Sequence, residues 1–143
     1  MSGTRVLLVD DEELFVTALA KRMTKRGLSV HTAADGNAAV DLAREQAFDA
    51  IVLDLAMPGM DGIETLKKLL EINPDLQIIL LTGHGSVQSG VEAMKHGAMD
   101  FLEKPADFQE LLQKINEAAA KKMLLVERHA EEELDDILRK KGW

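Results

Sequence analysis

Apolar residues follow two alternating patterns along the chain. Short, nearly continuous runs occur at Val6-Leu7-Leu8-Val9, Leu28-Ser29-Val30-His31, Ala50-Ile51-Val52-Leu53, Ile78-Ile79-Leu80-Leu81 and Asp100-Phe101-Leu102. The first, third and fourth are Leu-rich or β-branched, which suits strands buried on both faces of a parallel sheet. Between the runs, apolar positions recur at spacings of three and four, the mark of an amphipathic helix. Leu14, Ala18, Leu19 and Met23 predict a first helix ended by Gly27. Ala38, Ala39 and Leu42 predict a second, after Asp35-Gly36. Ile63, Leu66, Leu69 and Leu70 predict a third, with Asp61 as N-cap and a stop before Pro74. Val87, Val91 and Met94 predict a fourth, opened by Ser86 and closed by Gly97. Phe108, Leu111, Leu112 and Ile115 predict a fifth, opened by Asp107 after Pro105.

Strict alternation of strand and helix implies an α/β protein with a parallel sheet, helices on both faces and right-handed crossovers. Five strands in this length fit a doubly wound, flavodoxin-like sheet of order 2-1-3-4-5. In such sheets ligands bind beyond the carboxyl ends of the strands. Chemistry is therefore expected in the residues that follow each strand.

The pattern does not stop at the fifth helix. No Gly or Pro occurs from Ala106 to Lys141, so the helix can run on or bend near Glu127. Met123, Val126, Ala130, Leu134, Ile137 and Leu138 form an apolar stripe, interrupted at Glu133. Arg139, Lys140 and Lys141 follow the acids of Glu131 to Asp136, a favourable order for the helix dipole. Two readings stand: a helix folded back on its own body, or an intermolecular helix pair. The expected division is a globular domain over 1–121 and a helical extension or linker over 122–143.

Charge separates the same two parts. The 143 residues include 17 basic and 25 acidic side chains, a net charge of −8. Residues 121–141 carry six of each, so the whole of the −8 belongs to the body. An acidic body argues against a segment that itself grips nucleic acid through phosphates. No cysteine is present, which excludes disulfides, thiolate zinc sites and iron–sulfur clusters. No run is long and apolar enough for a membrane span, and the N-terminus lacks the pattern of a signal peptide. A cytoplasmic protein is expected.

The carboxyl ends of the predicted strands bring distinctive residues together. Asp10 and Asp11 follow the first strand, Asp54 the third, Thr82 and Gly83 the fourth, and Lys104 the fifth. Glu12 and Glu13 read as helix-start or solvated acids. Asp54 ends a buried run, and a carboxylate beside two others needs a cation between them. Three hard anionic oxygens suit Mg²⁺. A carboxylate beside such an ion and an ammonium group is equipped to attack a phosphoryl group, with Thr82 able to hydrogen-bond a phosphoryl oxygen.

Asp10-Asp11, Asp54 within Ile-Val-Leu-Asp-Leu-Ala-Met-Pro-Gly-Met-Asp-Gly, Thr82-Gly83 and Asp100-Phe101-Leu102-Glu103-Lys104-Pro105 resemble the receiver domain of two-component response regulators. The resemblance covers roughly residues 3–121. It implies that Asp54 accepts phosphate from a sensor histidine kinase. It implies Mg²⁺ held by Asp10 or Asp11, Asp54 and the backbone carbonyl of Ala56. It implies Lys104 as phosphate counter-ion, a cis peptide at Lys104–Pro105, and Thr82 with Phe101 as a switch pair. The output face would then be the fourth helix, fifth strand and fifth helix, with a homodimer through that face or through the C-terminal helix. The segment from Thr82 to Pro105 is similar to receivers of the enhancer-binding, NtrC-like type. The chain is then either a stand-alone receiver acting on a downstream protein or the receiver part of a transcriptional regulator with its own output domain.

Ala56 and His84 occupy the two positions that tune phosphate lifetime in this family. Ala56 cannot orient a hydrolytic water, which predicts no fast self-dephosphorylation from that side. His84 helps, blocks or simply lies exposed. Phe101 supplies the family's aromatic ring without a hydroxyl. The expected function is a switch that catalyses only its own phosphorylation and dephosphorylation. An aspartyl-phosphate phosphatase would want a second acid where Ala56 stands. A flavin carrier would want a phosphate-cradling loop, which is missing.

Remaining residues read as structural. Pro58, Gly59 and Gly62 shape the loop after Asp54, and Met57 and Met60 pack within it. His31, His84, His96 and His129 lack metal-ligand spacing. Lys67-Lys68 and Lys121-Lys122 read as solvated helix faces.

Overall fold

In the computed structural model, residues 3–55, 61–83 and 87–143 are described. Five strand–helix pairs follow one another: β1 (Arg5–Val9), α1 (Glu13–Lys25), β2 (Ser29–Ala33), α2 (Gly36–Glu45), β3 (Ala50–Asp54), α3 (Gly62–Ile72), β4 (Ile78–Thr82), α4 (Val87–Lys95), β5 (Asp100–Glu103) and α5 (Phe108–Lys140). The strands form one parallel sheet in the order β2-β1-β3-β4-β5, the flavodoxin-like order expected for five such strands. The cis peptide at Lys104–Pro105 is present.

Alternation along each strand splits the core in two. Leu7, Val9, Ile51, Leu53, Ile78 and Leu80 pack on one face with α2, α3 and α4 residues such as Ala39, Leu66, Leu69 and Ala93. Val6, Leu8, Val52, Ile79, Leu81 and Leu102 pack on the other with Met23 of α1 and Leu111, Leu112 and Ile115 of α5. Burying each such side chain contributes about 1.5–3 kcal/mol. This two-sided burial explains why the strands read as continuous apolar runs.

Helix ends match their local chemistry. Asp35, Asp61 and Asp107 cap α2, α3 and α5 by accepting the backbone N–H of Ala38, Glu64 and Glu110. α1 ends at Gly27, whose φ of 88° is the left-handed conformation that glycine adopts freely. There the Gly27 N–H bonds to Thr24 O and the Leu28 N–H to Met23 O. Leu28 is thus spent in closing α1. That is why β2 begins at Ser29, pairs with Arg5, and runs on to Ala33, further than the apolar run suggested.

Two helices depart in part from the face their large residues predict. In α1 Leu19 and Met23 pack into the core as predicted, joined by Val16 and Ala20, while Leu14 is 88% exposed and Ala18 is exposed. The packed stripe is thus shifted off Leu14 and Ala18. In α4 Val91 is 46% and Met94 37% exposed, whereas Gly90 and Ala93 face inward. Small residues let this helix approach the sheet closely.

α5 runs for 33 residues as one helix, with no interruption at Glu127 and no turn that would fold it back. Its buried positions end at Ala118. Beyond them two polar pairs hold it across the amino-terminal edge of the sheet. Lys122 Nζ lies 3.3 Å from Asp49 Oδ1, so it is not a purely solvated residue as expected. His129 Nε2 lies 2.7 Å from Asp75 Oδ2. The stripe of Met123, Val126, Leu134, Ile137 and Leu138 is exposed.

Candidate functional site

Strand length places the reactive groups. Asp54 and Thr82 are the final residues of β3 and β4, and Asp10 and Lys104 stand one residue past β1 and β5. All four therefore meet at the carboxyl edge. Asp10, Asp54 and Thr82 are buried, and Asp11 is exposed. Asp10, Asp11 and Asp54 each offer a carboxylate oxygen, and these oxygens lie within 4.8 Å of one another.

Such crowding is unfavourable for carboxylates unless positive charge stands among them. Lys104 supplies it. Its ammonium donates a 3.0 Å hydrogen bond to Asp10 Oδ2 and stands 3.8 Å from Asp54 Oδ2 and 3.8 Å from Glu12 Oε1. Burial alone would lower the Lys104 pKa. The hydrogen bond to Asp10 and the charges of Asp54, Asp10 and Glu12 outweigh that burial and raise it above its ordinary value. The ammonium is held in place by its own backbone, because the Lys104 N–H bonds to Thr82 O at 2.7 Å. Asp10 is fixed likewise, its Oδ1 accepting the Glu12 N–H at 2.9 Å.

Thr82 and Phe101 follow the other parity of the sheet. Leu80 pairs with Phe101 and Thr82 with Glu103, so both side chains belong to the face that α4 covers. The Thr82 hydroxyl is 3.5 Å from the Leu102 carbonyl oxygen. The Phe101 ring is half-buried against the core of that face. The charged cluster and the candidate switch pair thus lie side by side at one edge but on opposite parities.

Ala56 and His84 lie outside the described residues, as do Pro58, Gly59, Met57 and Met60. Gly62 lies within them and fits its structural reading. A Cβ there would fall 2.4 Å from Leu55 Cα, so only glycine lets α3 start so close to the end of β3.

Three features escaped the sequence reading. Glu12, read as a helix-start or solvated acid, does stand at the N-cap of α1, but it also comes within 3.8 Å of the Lys104 ammonium. Phe15 lies under the Lys104 ammonium, 4.8 Å from Nζ to ring centroid, and Arg22 lies over Phe108 at 3.9 Å. Such contacts join residues distant in sequence and leave no periodic signal.

A doubly wound sheet with this carboxylate–lysine cluster defines a receiver. The sequence model of the response regulator receiver domain matches residues 6–116, and the chain belongs to that family. Among individual relatives, it is 41% identical over 122 residues to the transcriptional regulatory protein ZraR of Klebsiella oxytoca, covering 84% of this chain and 28% of that protein. It is also 41% identical over 125 residues to the C4-dicarboxylate transport transcriptional regulatory protein DctD of Pseudomonas aeruginosa, covering 87% of this chain and 27% of that one. A response regulator receiver domain protein from Clostridium thermocellum superposes with a TM-score of 0.82 at 31% identity, covering 85% of this chain and 98% of that structure. The chain thus spans little more than a quarter of the length of the two regulators, at 28% and 27%.

Proposed function

We propose that this receiver is a phosphorylation switch in which Asp54 is the acceptor for a sensor histidine kinase. The observation that carries this reading is the position of Lys104, 3.0 Å from Asp10 and 3.8 Å from the buried Asp54. A carboxylate oxygen of Asp54 attacks phosphorus, an O–P bond forms, and the P–N bond to the kinase histidine breaks. Asp54 is pre-aimed by its place at the end of β3, so little conformational freedom is lost on reaction. Lys104 offers its ammonium to the phosphoryl oxygens, and the Thr82 hydroxyl donates to one of them as it leaves the Leu102 carbonyl.

The acid cluster fits a hard divalent cation. Asp10 or Asp11 with Asp54 would hold Mg²⁺, joined by the Ala56 carbonyl that the family resemblance implies. When bound, this ion supplies positive charge to a phosphoryl group in transfer.

Movement of Thr82 frees space on the α4 side of the sheet, and the Phe101 ring follows it inward. The output surface is then α4, β5 and α5. We assign residues 1–121 to the receiver and 122–143 to a helical extension. The protein acts in the cytoplasm on a downstream protein or an attached output domain, without contacting nucleic acid or membrane through this segment. A homodimer through α4-β5-α5 or the extension fits the exposed Val91, Met94 and Leu134. Ala56 and His84 set how long the phosphate lasts. The only chemistry it catalyses is its own phosphorylation and dephosphorylation.

Incubation with a small phosphodonor and Mg²⁺ tests this, read by intact mass. Wild type should gain one phosphoryl group and Asp54→Asn none. Equal labelling of the two would overturn the assignment.

A further inference from the structure

α4 passes so close to β5 that its backbone meets the ring of Phe101. A methyl group built on Gly90 would stand 2.9 Å from Cδ2 of Phe101 and 3.1 Å from Cε2 and Cγ. Cγ is the root of the ring, so the crowding is not confined to a flexible tip. The ring can escape it only by rotating as a whole about its side-chain bonds, or α4 must lift.

Gly90 lies inside a helix of nine residues. Glycine is the poorest interior helix residue after proline, so local propensity argues against it there. Packing supplies the reason for it. Gly90 is buried, and Ala93 of the same helix is fully buried against the same face. Gly90 thus leaves a shallow seat that the half-buried Phe101 ring occupies, with Ala93 buried in the core that the ring packs against.

We infer that Gly90 is a positioning residue that sets the resting balance of the switch by seating Phe101 in its present orientation. This inference rests on the phosphoacceptor reading above. Occupying the seat with a methyl group disfavours the resting orientation and leaves the displaced one untouched. A substitution that favours one of two states raises affinity for any ligand that prefers that state. On the reading above, the phosphorylated arrangement is the one in which the ring has turned inward towards Thr82 and so left this seat. Gly90→Ala should therefore bind a phosphoryl mimic more tightly, although Gly90 itself lies at the α4–β5 contact and not among the acids.

The test is titration of the full chain with beryllium trifluoride in the presence of Mg²⁺. Gly90→Ala should bind about five-fold more tightly than wild type, the lower end of ordinary coupling between sites. In a Phe101→Ala background the same substitution should change affinity by less than about two-fold, because the ring that couples them is gone. Equal affinity of Gly90→Ala and wild type would overturn the inference, as would an undiminished gain without the ring. A measurement on wild type guards against a variant that fails to fold. Nuclear Overhauser contacts between the Gly90 α-protons and the Phe101 ring should be present without the mimic and vanish with it. Their persistence would also overturn the inference. Failure of wild type to bind the mimic, or equal binding by Asp54→Asn, would remove the phosphoacceptor reading and this inference together. Normal wild-type binding with no effect at Gly90 removes only the inference.

Discussion

His129 of α5 meets Asp75 of the α3–β4 loop at 2.7 Å, tying the long helix to the edge of the sheet opposite the acid cluster. The hydrogen bond to Asp75 is the main cause that raises the His129 pKa above 6.5, with the charges of Asp75 and Glu132 adding to it. A raised folded-state value means that the pair adds stability in full below the ordinary histidine pKa. That contribution is lost as pH climbs through the raised value. NMR titration of the His129 ring should show the upward shift, and Asp75→Asn should return it towards 6.5. An unchanged titration in that variant would mean that the pair does not form in solution.

The acid cluster predicts a stability response to Mg²⁺. A ligand that binds only the folded state at about 100 times its dissociation constant stabilises by about 2.7 kcal/mol. Thermal melting of wild type should rise on adding Mg²⁺ and fall back with a chelator. Asp54→Asn and Asp10→Asn should respond much less. A wild-type Tm indifferent to the ion would count against the site.

Gly62 allows a further prediction. A methyl group there would lie 2.4 Å from Leu55 Cα, next to Asp54. Overpacking of this kind costs about 1–3 kcal/mol. Gly62→Ala should lower the urea midpoint and slow phosphodonor labelling of Asp54, because the strand end must move. Unaltered labelling would show that Leu55 yields without disturbing its neighbour.

The two halves of α5 should respond differently to truncation. Ile115 is fully buried, and Ile115→Ala should cost about 2–5 kcal/mol. Leu134 is 60% exposed, so Leu134→Ala should stay within about 0.5 kcal/mol in dilute protein. Denaturant melts at several concentrations check both. A large, concentration-dependent cost at Leu134 would reveal a second copy on the stripe.

Much of this molecule was legible before its coordinates. The parallel, two-sided sheet followed from alternation, because strands buried on both sides must be apolar throughout, while its order came from the flavodoxin-like arrangement that five such strands fit. Asp10, Asp54, Thr82 and Lys104 were legible because strand ends fix where a side chain emerges. The helix faces were less so. Counting large residues placed Val91 and Met94 inward, whereas Gly90 and Ala93 make the close contact, and small residues carry little weight in a hydrophobic pattern. Nor could periodicity reveal His129 with Asp75 or Lys122 with Asp49, since these pairs join distant segments by charge.

The unbroken α5 also has a mechanical meaning. At about 1.5 Å per residue, its 33 residues make a rod about 50 Å long. Its root adjoins Pro105, the neighbour of Lys104, and its far end stands clear of the sheet. The pairs at Lys122 and His129 hold most of that rod to the body, so the arm that projects runs from His129 to Lys140, about 17 Å at the same rise. The tip therefore moves with the edge that Asp49 and Asp75 occupy, opposite Asp54.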